Sequence, residues 1–485
     1  MPFFKKALSE RQPKGLSFLF FTELWERFGF YTLQTIVILY MSSDLDISYE
    51  TSYLLYGAFS SLIYLSPVLG GYIADRFISL RMSILLGALL LLIGYVMVAF
   101  SSLPLFLVGL SVIVVGNGLF KPNIPAMLGE LYKEQDPRRD GGYTLLYMGI
   151  NVGAFLPYLF ADKFVEAVGW HMGFLLAAVS MLLGMIIFIL GRPSLPDKKP
   201  KFLFKTKSKP LFGITFCLGL IVAIAVVNLL LKFPAKTDDN LVVASAFIMG
   251  LVIFFLLKQK NPERKKMLAA LILIVVSVGF WAVYNQTYTT LLSFAETNME
   301  SSWLGFTFSS SASQYFNPFF IIFLSPILSK LWIHLDEKNL NPSTPLKFTL
   351  GALFMALGFF LLAIGVRFFG NAGLCSPGWL IGSFFLQTIG ELLLTPVGLA
   401  MISELSPPNL VGMMMGVWFL TQFAAYAIGG GLARVANVVD VSAIQSIGIY
   451  SHAFFIYGGM SLILAIASFL LIPYLKGLIG YSKEV

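Results

Sequence analysis

The stretch "FTELWERFGFY", residues 21 to 31, carries Glu23, Glu26 and Arg27 within an otherwise apolar run. On a helix, Glu23 and Glu26 are related by i,i+3 and Glu23 and Arg27 by i,i+4, so the three groups share one face and can interact directly. From a helix start near residue 17, Arg27 lies about 15 Å along the axis, too deep for its head to reach an interface. Each charge at such a depth costs roughly 2.5–3.5 kcal/mol, which pairing or a wet cavity must offset; ionisable groups so placed mark ion or substrate pathways. Two further charges sit mid-span on other segments: Lys121 in "GNGLFKPNIPAMLGELY" and Glu391 in "TIGELLLTPVGLA". Beside them, Gly116 and Gly118 allow close helix contact, while Pro122, Pro125 and Pro396 free carbonyls that a cavity or neighbouring helix must satisfy.

The elements that position these groups follow from hydropathy. Of the 485 residues, 57% are apolar and 12% charged, far from a globular mix of about a quarter charged. Apolar runs long enough to cross a core of about 30 Å recur along the chain. They predict fourteen spans, at 17–41, 51–74, 83–101, 104–130, 143–162, 172–191, 211–231, 241–257, 267–295, 304–333, 347–366, 378–403, 410–433 and 450–474. The first run is too long for a signal-peptide core and is read as retained. Alternate loops gather Lys5, Lys6, Arg11, Lys14, Arg76, Arg81, Lys133, Arg138, Arg139 and the runs 192–209 and 258–266 on one side; Lys163, Lys232, Lys236, Arg367 and Arg434 lie on the other. This bias places both termini in the cytoplasm, and it accounts for the net charge of +8 without nucleic acid.

The basic linkers bracket two spans, 211–231 and 241–257, that contain no charge. Removing them leaves six spans on each side, as in transporters built from two parallel repeats. The expected organisation is a first bundle over 1–191, linkers with two inserted helices over 192–266, and a second bundle over 267–485. "LSPVL" at 65–69 and "LSPIL" at 324–328 occupy the second span of each half.

Other chemistries find little support. Cys217 and Cys375 offer neither a disulfide framework nor a CxxC site. His171, His334 and His452 are isolated, without the spacing of metal or haem ligands. No phosphate loop of the GxxxxGK[ST] type and no HExxH helix occurs, so ATP-driven pumping and metalloprotease activity lack their machinery. A membrane redox subunit is the weak rival, no enzyme activity being indicated. Nothing specifies an oligomeric state.

"ELWERFGFY" resembles the first-helix ExxER signature of the proton-dependent oligopeptide transporter (POT/PTR) family, within the major facilitator superfamily. "GLFKPNIPAMLGELY", "YMGINVGAF", "FWAVYNQ", "QYFNPFF" and "GELLLTPVGL" through "GMMMGVWFL" are similar to further family motifs in the same order. "GGYIADRFISLR" resembles the superfamily's loop between spans two and three. The resemblance covers roughly residues 15 to 475 and includes the two inserted helices of bacterial fourteen-helix members. It implies an all-α integral membrane fold of two six-helix bundles plus two inserted helices, located in the bacterial inner membrane. It also implies a symporter that imports di- and tripeptides by alternating access, with the proton as coupling ion and no cofactor or metal.

Carried onto this chain, the resemblance assigns proton coupling to Glu23, Glu26, Arg27 and Lys121. A carboxylate near Arg27 or Lys121 favours its charged form whereas burial favours protonation, so a change that separates the pair could move a proton. Glu391 would hold the peptide amino terminus, and Arg27 with Lys121 would face its carboxylate. Asn151 and Asn317 match positions suited to hydrogen bonding the peptide backbone, and Tyr31, Tyr64, Trp281 and Trp418 match pocket aromatics. The chain departs from the family at Gln34 and Asn285, neutral where an Arg and a Glu commonly pair, and at Phe30, where Tyr is common. Losing both charges together avoids an unpaired ion, and an outer gate closing through the Gln34 and Asn285 amides is the expected consequence. Asp75, Arg76 and Arg81 are expected to brace a gate where cytoplasmic helix ends meet. The competing substrate class is another small zwitterion, such as an amino-acid derivative or peptide-like drug.

Overall fold

The computed structural model describes residues 12–100, 102–133, 135–197, 209–303, 305–307, 313–370, 372–436 and 441–480. Lys5, Lys6, Arg11 and much of the 192–209 run lie outside them. A helix is present at every one of the fourteen predicted spans, and among the described residues twelve stretches are apolar and long enough to cross a membrane. The first helix falls outside that twelve because it carries Glu23, Glu26 and Arg27.

The chain divides into two units. The first comprises 1–264 with 402–420. It contains α1 (Lys14–Ser43), α2 (Tyr49–Arg76), α3 (Leu80–Ala99), α4 (Leu103–Phe120), α5 (Asn123–Gly129), α6 (Arg139–Val168), α7 (Trp170–Gly191), α8 (Lys209–Lys232) and α9 (Pro234–Lys258). Starts are set by local chemistry: Ser48 Oγ accepts from Thr51 N and Ser79 Oγ from Met82 N, which satisfies N-terminal donors that the helix itself cannot. α1 packs along α6 and α7, α3 along α4 and α7, and α2 along α4. The inserted α8 and α9 pack on α2, with α8 also on α4. The span predicted at 104–130 is interrupted at Lys121–Pro122, because Pro122 has no N–H to continue the ladder.

The second unit comprises 265–401 with 421–485. Its helices are α10 (Glu263–Tyr284), α11 (Thr290–Thr297), α12 (Ser313–Glu337), α13 (Thr344–Phe369), α14 (Pro377–Leu405), α15 (Val411–Ala433) and α16 (Ala443–Ile479), with α10, α14 and α15 each running across a unit boundary. α13 and α16 form its longest seam. A capping box of Ser442 and Gln445 starts α16. The stretch predicted to open a span at 304 instead holds a two-residue hairpin, Ser302–Trp303 against Phe306–Thr307, and the helix begins at Ser313. The span predicted at 267–295 is broken by a 3-10 turn at Asn285–Thr287. Pro67 in α2 and Pro326 in α12, the prolines of the two LSP sequences, both lie inside helices.

Candidate functional site

In the first unit, α1 brings Glu23, Glu26 and Arg27 into the interior, all three buried. Arg27 Nε donates to Glu26 Oε2 at 2.5 Å and Nη2 to Glu26 Oε1 at 2.6 Å, a bidentate pair. Glu23 Oε1 stands 3.6 Å from Arg27 Nε, and its Oε2 is buried with no hydrogen-bond partner. Helical spacing alone pointed to Glu23 as the guanidinium's neighbour, and the tighter partner is the adjacent Glu26. Two carboxylates therefore compete for one guanidinium. The face of that guanidinium is covered by Phe30, whose ring centroid lies 4.9 Å from Arg27 Cζ. An apolar ring at this position thus supports the cation electrostatically.

Lys121 ends α4 at the proline break and is buried. Its Nζ lies 4.6 Å from the Tyr64 ring centroid and 4.8 Å from that of Phe419, and among the described residues it forms no ion pair within 4.0 Å. It interacts electrostatically with Glu23, Glu26 and Arg27 at longer range. Tyr95 on α3 belongs to the same electrostatic neighbourhood, through Glu26 and Arg27, and its buried hydroxyl has no partner. Neither Tyr95 nor Phe419 stands out in sequence, where each reads as one more aromatic in an apolar run.

The remaining first-unit candidates line up less uniformly. Tyr31 packs on Phe30 and on Tyr158, with centroids 5.6 and 5.8 Å apart. Gln34 meets the Tyr56 hydroxyl. Asn151 donates to the Tyr147 carbonyl of its own helix at 2.9 Å, and Trp418 is buried.

Asp75, Arg76 and Arg81 do not form one brace. Asp75 Oδ1 accepts from Gly412 N at 3.0 Å and Oδ2 from Met413 N at 2.9 Å, so the carboxylate occupies the N-terminus of α15, where free donors and the helix dipole favour an anion. Gly412 is required there, because a Cβ would lie 2.8 Å from the Gly71 carbonyl oxygen and 3.1 Å from Asp75 Oδ1. Arg76 instead faces the Tyr72 and Phe255 rings, with Cζ 5.9 and 6.0 Å from their centroids. Arg81 donates to the carbonyls of Arg192 and Leu195 and stands 3.4 Å from Asp197. Consecutive helical residues point about 100° apart, so neighbours in sequence reach different partners.

In the second unit, Glu391 on α14 is buried and Asn317 Nδ2 donates to its Oε2 at 2.6 Å and to Thr388 Oγ1 at 3.1 Å. Thr388, absent from the sequence-derived set, lies three residues before Glu391 on the same helical face. Trp281 is buried against Phe280 and Tyr284, at 5.7 and 4.9 Å between centroids. Asn285, at the 3-10 break, is buried with neither amide atom hydrogen bonded. Its neighbour Gln286 is fully engaged, donating to Gly429 O at 2.9 Å and accepting from Thr289 and Thr290. Among the described residues no cluster of three or more potential metal ligands occurs.

A model of the POT family matches residues 81–451. The dipeptide and tripeptide permease A of Cronobacter turicensis is 36% identical to this chain, covering 98% of it and 95% of the permease. The dipeptide and tripeptide permease B of Shigella dysenteriae is 34% identical, covering 98% of each. Among solved structures, a peptide transporter POT in complex with sulfate aligns with a TM-score of 0.68 at 30% identity over 96% of both chains. A mutant of a peptide transporter POT in complex with alafosfalin aligns at 0.67 and 31% identity, over 98% of this chain and 99% of the other.

Proposed function

This chain belongs to the POT family, and from that premise we propose that it is a proton-coupled symporter of di- and tripeptides, working by alternating access on a major facilitator fold. The observation that carries the reading is the competition at Arg27: Glu26 holds the guanidinium in two hydrogen bonds while Glu23 keeps an oxygen without a partner. One cation cannot fully pair two buried carboxylates, so the second is completed by a proton or by Lys121. A peptide carboxylate arriving at Arg27 and Lys121 competes for those same cations and changes which carboxylate needs the proton. Substrate binding and proton binding are thereby linked through one set of charges.

A peptide zwitterion also needs an anionic subsite, and Glu391, held by Asn317, whose amide also donates to Thr388, supplies it. Tyr31, Tyr64, Trp281 and Trp418 offer apolar faces that accept varied side chains, and Asn151 and Asn317 offer amides for the peptide backbone. The two bundles are assigned to 1–191 and 267–485, with 192–266 as the insertion. The Lys/Arg bias of the loops places both termini in the cytoplasm of a bacterial inner membrane, so peptide and proton enter together. The membrane potential adds about 2.3 kcal/mol per charge per 100 mV to the pH gradient.

Uptake of a labelled dipeptide into proteoliposomes tests the reading. An imposed inward proton gradient should concentrate the peptide, and an uncoupler should abolish the concentration. Uptake that ignores the gradient would remove the coupling. The neutral Gln34 and Asn285 favour a second substrate reading, a zwitterion other than a peptide. Stronger competition by free amino acids than by di- and tripeptides would select it.

A further inference from the structure

Within the first unit, an apolar cavity of about 470 Å³ lies between the inserted helix α8 and the face formed by α2 and α4. It is bounded by Ser66 on α2 and Phe77 just after it, Gly118 on α4, and Phe212, Gly219 and Val227 on α8, and no charged side chain lines it. The seam between α2 and α4 is closed, since a Cβ on Gly70 would strike the Gly118 carbonyl. The space is on the α8 side, where a Cβ on Gly219 meets nothing within 4 Å. Of the two lining hydroxyls, Thr215 donates to Leu211 O at 2.9 Å and Ser66 Oγ has no partner. Water needs two to four polar partners to reside in a cavity, so this one excludes it.

The cavity has the dimensions of a lipid chain. Ser66 to Phe77 covers about 16 Å and Phe212 to Val227 about 22 Å at 1.5 Å per residue, against about 15 Å for one leaflet of the hydrocarbon core. At its Phe77 end stands Arg76, on the side of the basic loops, held over the Tyr72 and Phe255 rings with its Nε buried and unpartnered. Basic side chains at this level attract anionic headgroups. We propose that this cavity is a phospholipid site: it takes one acyl chain of an anionic phospholipid from the leaflet facing Arg76, with the phosphate against that side chain. The lipid fills the seam between α8 and the bundle.

The test uses the full chain in phosphatidylcholine vesicles doped with phosphatidylglycerol carrying a mid-chain diazirine, and separately with the same chain on phosphatidylcholine. After illumination, label should concentrate on peptides covering 66–77 and 212–227. The phosphatidylglycerol probe should label them about fivefold more, the size expected of one basic residue. Gly219→Leu, or Ala223→Leu as a second filler of the same space, should remove that label while label at the exposed Leu470 on α16 stays unchanged. Retained dipeptide uptake by the fillers shows that they fold. Arg76→Gln should erase the headgroup preference and leave the chain label. Label at 212–227 no stronger than at Leu470, or unchanged in both fillers, overturns the site, and equal labelling by the two probes in the parent overturns its anionic assignment.

Discussion

In the first unit Glu26 gives both carboxylate oxygens to the Arg27 guanidinium, whereas in the second Glu391 gives one to the neutral amide of Asn317. The two arrangements suit different tasks. A carboxylate released from a guanidinium inside the membrane must find another cation or a proton, since a lone buried charge costs several kcal/mol. That suits the α1 cluster to the proton exchange proposed for it. A neutral amide orients a carboxylate without neutralising it, which on the proposed reading keeps its charge for an incoming ammonium. On the proposed reading, coupling and recognition of the amino terminus fall to different clusters, one in each unit.

The largest effect should come from setting the two clusters against each other in transport. Glu23→Gln is expected to abolish gradient-driven accumulation while peptide exchange down its own gradient continues, and Lys121→Ala to abolish accumulation and also weaken exchange, since Lys121 faces the peptide carboxylate. Glu391→Gln is expected to weaken both, with peptide affinity falling about tenfold or more, the loss of a hydrogen bond to a charged group. Measuring accumulation and counterflow in the same proteoliposomes separates them. A Glu391→Gln variant that loses accumulation alone, or a Glu23→Gln variant that concentrates peptide like the parent, breaks the division of labour.

Stability should divide along the same line. Removing one partner of a buried ion pair leaves the other uncompensated and costs about 3–5 kcal/mol, so Glu26→Gln should lower the melting temperature strongly. Asn317→Ala removes a neutral donor from Glu391 and costs about 1–3 kcal/mol. Melting of the detergent-solubilised variants should rank them in that order. The reverse ranking would mean that Glu391 depends on its neighbours more than Arg27 does.

Much of this architecture was legible in the sequence, and the reasons for the misses are physical. Hydropathy located every span, because a helix facing lipid must be apolar over its whole length. It did not locate the breaks at Lys121–Pro122 and Asn285, since averaging over a span hides a single turn. Helical spacing brought Glu23, Glu26 and Arg27 to one face, but a long guanidinium stem can fold onto an adjacent side chain, which periodicity does not register. The Asn317 to Glu391 contact joins residues far apart in sequence, and only the resemblance placed both in one site. Tyr95 was invisible, because a buried tyrosine in an apolar helix differs from core only in what its hydroxyl faces.

The neutral positions offer a finer test. Asn285 is buried with both amide atoms unpartnered, and Gln34 meets Tyr56. Introducing Gln34→Arg together with Asn285→Glu adds a charge of each sign without changing the sum, and is expected to shift the preference between di- and tripeptides by severalfold. Competition assays with a peptide length series report it. Unchanged length selectivity would confine these two positions to packing.

The smallest effect comes from a pair that repeats the Glu26–Arg27 chemistry in water. In the loop before α6, Arg138 donates from its backbone N and Nε to Asp136 Oδ1 at 3.0 and 2.9 Å, and from Nη2 to Oδ2 at 2.7 Å. These bonds hold the Asp136 carboxyl below its usual range, against the opposing effect of partial burial. A carboxyl lowered in the folded state stabilises the protein above its unfolded value of about 3.9 and loses that contribution as pH falls through the folded value. Asp136→Asn should therefore lower the melting temperature slightly at neutral pH, by the equivalent of no more than about 1 kcal/mol for a solvent-screened pair. The gap between variant and parent should close as pH drops below about 4. A gap that widens on acidification, or one as large as that of Glu26→Gln, would show that depth in the membrane is not what separates the two pairs.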